Sequence, residues 1–157
     1  MALRVLALLS AAVFAAFAQK YDGPRPPKPD LPYIKHAQNL VPTEPLEAKE
    51  EKGKKDEVVY AMAGAASTAR TPLASPIFIL QTEKLNANSL QLYRLESRNG
   101  RREITASPKK PMKAIRVEAS RLDSSGLYKL EVVESLEPGE YSLSPEGSNQ
   151  VFCFQVF

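Results

Sequence analysis

Few side chains in this chain could do covalent chemistry, and their spacing narrows the choice further. There is one histidine, His36, inside a proline-rich stretch. A nucleophile–histidine triad would need that stretch to fold back onto the rest of the chain. Ser67 lies in the small-residue loop Gly64-Ala65-Ala66-Ser67-Thr68, a place where a serine nucleophile could be exposed, but no base is in sight along the sequence. Paired carboxylates can hydrolyse glycosides without histidine. Glu131, Glu134, Glu137 and Glu140 are the nearest to such a set, and they read as outward strand positions or turn neighbours, a solvated face. Zinc or copper would want more His and Cys than the chain has. Neither GxGxxG nor GxxxxGK[ST] is present. The sole cysteine, Cys153, cannot form an intrachain disulfide and reads as a small buried hydrophobe, with an intermolecular disulfide as the alternative. The expectation is a non-enzyme with no catalytic residue, no cofactor and no metal.

Charge offers a second route to function. The chain has 21 Lys and Arg against 18 Asp and Glu, a net of +3, too small to argue for nucleic acid. The distribution is less even. From Arg94 to Arg116, eight basic residues face only Glu96 and Glu103, a net of +6, whereas Val117 to Phe157 carries a net of −5. Either the basic run meets an anionic surface, such as lipid headgroups or polysaccharide, or the two halves pair across neighbouring strands. The second reading is favoured. Under the first, Arg98, Arg101 and Arg102 are the candidate contacts.

The elements that would position these residues are clearest in the last third. Ile115, Val117 and Ala119 alternate with polar residues, and so do Tyr128, Leu130 and Val132 after the turn formers Asp123-Ser124-Ser125-Gly126. Glu137-Pro138-Gly139-Glu140 predicts a type II turn with Gly139 at positive φ. Val151 to Phe157 is apolar on both faces apart from Gln155, the pattern of a central strand covered on both sides. Upstream, Val58–Met62, Pro76–Leu80, Leu90–Glu96 and Arg101–Thr105 read as further strands, with Asn99-Gly100 as a type I′ hairpin centre. About seven to eight short strands over 58–157 predict an all-β fold, a single antiparallel β-sandwich, Ig-like or a small barrel.

Residues 1–18 read as an export signal. Arg4 precedes an apolar run of about 14 residues, shorter than the ~20 of a spanning helix, and Ala16-Phe17-Ala18 fits a cleavage site before Gln19. The expected location is periplasmic or secreted, with no integral membrane segment after cleavage. Residues 19–57 read as a leader. Pro24, Pro26, Pro27, Pro29 and Pro32 favour polyproline II, and the charged part predicts a short frayed helix near 44–52 or a solvated tether. Tyr33 and Ile34 are apolar enough to dock on the domain or on a partner.

The run LYRLESRNGRREI, then LYKLEVVESLEPGEYSLS and the terminal FCFQV, resembles the closing part of uncharacterised exported bacterial proteins, a family of unknown function. The resemblance implies an envelope or secreted location and carries no site residues. The expected function is an exported, non-catalytic interaction or assembly module whose partner is an unknown envelope protein or an anionic surface. A carbohydrate-binding or cell-wall-active protein is the alternative, and it would need a cleft lined by aromatic residues.

Overall fold

The computed structural model describes residues 20–157. The expected signal 1–18 and its cleavage point lie outside the described residues. The chain is all-β. Its strands are β1 (Tyr33–His36), β2 (Asn39–Pro42), β3 (Glu44–Glu47), β4 (Lys49–Lys52), β5 (Val58–Ala63), β6 (Arg70–Thr71) and β7 (Ile77–Gln81). They are followed by β8 (Leu90–Arg98), β9 (Arg101–Ala106), β10 (Val117–Arg121), β11 (Leu127–Val132), β12 (Gly139–Pro145) and β13 (Gln150–Val156).

Two sheets form. The smaller has the order β10-β11-β7-β1-β2, and every pairing in it is antiparallel. The larger runs β3-β13-β12-β8-β9-β5-β4, with the two-residue β6 parallel to the end of β13. Only Ala48 separates β3 from β4, yet they stand at opposite ends of that order. One stretch of chain therefore gives its first half to β13 and its second half to β5, which forces the sheet to curl. The long β8 divides in the same way. Leu90 to Leu95 pair with β12, and Glu96 to Arg98 pair with β9. The result is a half-barrel whose outer wall packs on the flatter small sheet.

Strand alternation makes two cores from this curl. Tyr141 and Leu143 of β12, with Phe152, Phe154 and Val156 of β13, face the small sheet and meet Ile34, Phe78, Leu80 and Leu130. Phe154 is the hub, edge-on to Phe78 at 5.1 Å and stacked with Tyr141 at 5.6 Å between ring centroids. The opposite face of the same strands points into the half-barrel, where Val151 and Cys153 join Ala48, Met62 and Leu95. This is why the terminal strand is apolar on both faces.

Residues 33–52 depart from expectation. No helix forms near 44–52, and the segment is not a tether. β1 and β2 make a hairpin that adds to β7, and Ile34 is fully buried with Tyr33 4% exposed. A helix over 44–52 would have no apolar stripe to bury, whereas the extended form places Leu46 and Ala48 on the interior core and gives the charged β4 a full ladder with β5. Pro45 is tolerated because β3 has β13 as its one ladder neighbour. The proline-rich part is also tied down. Arg25 pairs with Asp123 at 2.8 Å, and the Asp30 carboxylate accepts from the backbone amides of Glu83, Lys84 and Leu85. The domain thus begins well before Val58.

The turns divide. Asn99 and Gly100 have φ of 50° and 75°, both positive as a type I′ turn requires. Gly139 does not adopt positive φ, so the predicted type II geometry is absent. It matters instead because a Cβ there would lie 3.3 Å from the Arg94 guanidinium.

A fragment spanning Val58–Phe157 should therefore fail to fold. It would lack the apolar surface of β1 and β3 and the acidic partner of a buried arginine described below. Amide NMR of the fragment is expected to show collapsed dispersion, and a well-dispersed spectrum would return 33–52 to the role of a leader.

Candidate functional site

The interior of the half-barrel has a charged end and an open end. At the charged end, β9 points Arg102 inward, and its side chain is completely buried. Such a cation persists only if every donor finds an acceptor. Nε donates to the Gly64 carbonyl at 2.9 Å, and Nη2 donates to the Ala63 carbonyl at 2.5 Å. Nη1 donates to Ser67 Oγ at 2.6 Å and to Glu44 Oε2 at 3.0 Å, with Glu140 Oε2 at 3.9 Å. Ser67 passes the network on, because both its hydroxyl (2.5 Å) and its backbone amide (3.1 Å) donate to Glu140 Oε2.

Ser67 does have a carboxylate beside it, contrary to the expectation from sequence, and Glu140 is not on a solvated face. The pair is nevertheless enclosed, with Ser67 4% and Glu140 5% exposed. It closes the end of the half-barrel by clamping the Gly64–Ala69 loop. The single histidine is engaged elsewhere, His36 Nε2 lying 2.8 Å from Thr71 Oγ1.

The other candidate contacts are dispersed. Tyr33 and Ile34 are core residues and Arg102 is interior, so none of the three can meet a partner. Arg101 sits between Glu51 and Glu103, at 2.9 and 3.0 Å. Arg98 remains at the surface, beside Glu96 at 2.8 Å. Pairing between the basic and acidic halves does occur, through Arg94–Glu137 and Arg102–Glu140. The nearest acids of Arg101 and Arg102 also include Glu51 and Glu44 from the supposed leader.

Cys153 lies on the interior wall. Burial pushes its thiol up to about 12. Glu44 and Glu140 push it the same way, and Arg102 opposes them.

At the open end β8 and β9 diverge. Leu90–Leu95 stay with β12 while Ile104–Ala106 stay with β5. Between them lies a pocket of about 220 Å³. Tyr60, Met62, Ile104 and Met112 give it apolar walls, and Gln91, Tyr93, Ser142 and Ser144 face it with polar groups. Met112 is brought in by the segment that bridges to β8, where the Ile115 amide donates to the Leu92 carbonyl at 2.7 Å. The Tyr93 hydroxyl donates to Gln91 Oε1, which holds the ring against the wall. Glu146 stands at the rim on the β12–β13 turn, its amide bonded to the Ser89 carbonyl at 3.0 Å. Sequence reasoning missed this site because alternation does not distinguish a polar residue facing a cavity from one facing solvent. The signal was the hydroxyl pair Ser142 and Ser144 on a strand whose other face is wholly apolar.

Among the described residues, no helix is long and apolar enough to cross a membrane. No protein-family model, curated protein or solved structure matches this chain.

Two outcomes follow. Arg102→Met strands the buried Glu140 and the half-buried Glu44 and should cost about 3–5 kcal/mol in urea unfolding, whereas Arg98→Ala should barely move the midpoint. Equal effects would mean that the cluster does not hold the barrel end. Cys153 should resist a thiol-specific disulfide reagent near pH 8 in the native protein and react at once in denaturant, because its thiolate is scarce when folded. Rapid native labelling would contradict the burial.

Proposed function

We propose that this chain is an exported, non-catalytic binding module that holds a small molecule in the mouth of its half-barrel. The pocket between the diverging strands carries this reading. It has apolar walls, converging polar groups and rigid strands on three sides, the general anatomy of a ligand site. Its volume is below the ~300 Å³ at which sites for drug-sized ligands begin, so the occupant is small. Export rests on the signal pattern of residues 1–18 and on the resemblance to exported bacterial proteins. The non-catalytic part is supported by the enclosure of Ser67 and Glu140, which would reach a substrate only if the loop over them opened.

Of the candidate partner contacts, Tyr33, Ile34 and Arg102 are buried and Arg101 is paired with Glu51 and Glu103, which leaves Arg98, exposed beside Glu96, as the one surface contact and makes a large partner the less favoured reading. A carbohydrate reading is favoured only in the form of a single sugar unit, because the pocket holds about 220 Å³.

Met62 and Met112 are two of the chain's three methionines and both line the pocket. Methyl-labelled methionine NMR therefore reports on the site directly. In a screen of small alcohols, amines, carboxylic acids and monosaccharides, at least one class should shift both signals saturably. Ile104→Trp should abolish the shift while thermal unfolding stays cooperative. If no class moves either signal, the pocket is a packing feature and the reading fails.

A further inference from the structure

We infer that the pocket selects a small organic cation, an alkylammonium or quaternary ammonium group on a short apolar body. This rests on the binding-module reading above and adds the chemistry of the ligand.

The first ground is charge. Among the described residues that line the pocket, Glu146 alone is charged and none is a lysine or arginine. An anionic ligand would find no compensating cation there. The basic residue nearest in the interior, Arg102, is already held against Glu44 and Glu140, so the closed end adds one positive charge against two negative ones. The second ground is the wall chemistry. Tyr60 and Tyr93 place aromatic rings in the wall, and the negative quadrupole of such a ring attracts a desolvated cation over its face. Met62 and Met112 add polarisable thioethers that fit an irregular alkyl surface. Gln91 Oε1, together with the Ser142 and Ser144 hydroxyls 3.2 Å apart, gives acceptors that could receive an N–H or O–H from the ligand.

The third ground is position. Glu146 is exposed at the rim, where its carboxylate can pair with a cation head that has lost part of its water. Burial raises the Tyr93 hydroxyl above its ordinary range, and the Glu146 carboxylate nearby raises it further. A neutral ligand of the same shape would gain the apolar contacts alone.

The test uses three probes of one shape: choline, its neutral carbon isostere dimethylbutanol, and the anion dimethylbutanoate. Each is titrated into the full chain and read on the Met62 and Met112 methyl signals. Choline is expected to bind about tenfold more tightly than the isostere, and the anion more weakly than either. Glu146→Gln should remove most of that preference without unfolding the protein, and Glu83→Gln, an exposed acid away from the pocket, should leave it intact. If the isostere or the anion binds as well as choline, the cation inference fails while the pocket stands as a neutral site. If none of the three moves the methyl signals, the cation inference falls, and the pocket itself is judged by the wider screen.

Discussion

The structure depends on burying one guanidinium. A cation taken fully out of water needs acceptors on every side, and no single strand can supply them. Arg102 draws them from three places: Glu44 at the start of β3, the carbonyls and hydroxyl of the 63–67 loop, and Glu140 at the start of β12 through Ser67. These segments are far apart in sequence. Holding them around one side chain fixes the curl of the large sheet at one end. It also fixes which way β3 runs, because Glu44 reaches the interior only if the following residues lie on β13. Hydrophobic burial supplies most of the driving force, and the interior charges choose which closed arrangement it produces.

The same closure explains why the other end stays open. A small sheet can curl only so far before its strands must part or stagger. Here β8 cannot follow both neighbours, and it leaves β9 just where the register with β12 takes over at Leu95. The bend at Ala48 is the matching break on the opposite wall. Met112 and the β12–β13 turn line the opening that remains. A pocket made in this way sits between strands anchored on both cores. The proposed binding of a small ligand would therefore require little ordering of the site.

Sequence patterning revealed the elements that use one face at a time or follow local turn chemistry. The β10–β11 pair, the Asn99-Gly100 turn and the doubly apolar β13 were all legible. What it concealed was tertiary in origin. Glu140 and Ser142 occupy polar positions of an alternating strand, and alternation alone places them in solvent. Ser67 lacks a partner within reach along the chain, since Glu140 is 73 residues away. The Glu44–Lys52 segment looks like a weak helix because its stability comes from ladders on two different strands, which no local window contains. Gly139 suggested a backbone role when its real constraint is the guanidinium packed against it. In each case the deciding atom comes from a remote element.

The proline-rich segment gains a physical role from this arrangement. Closing the half-barrel requires an N-terminal strand to be held against partners near the other end of the chain, and ordering such a segment is opposed by conformational entropy. Five prolines between Pro24 and Pro32 restrict the chain before it folds, so less freedom is lost when it docks. The docking is itself specific, through Arg25 on Asp123 and Asp30 on three backbone amides. The extended form that proline imposes then delivers Tyr33 and Ile34 to β7 and Glu44 to Arg102. A segment that composition alone would describe as a spacer is thus the strap that completes the barrel. The interior charges at the closed end are matched by that strap, while the pocket at the open end carries a rim carboxylate and a wall of aromatic and thioether groups.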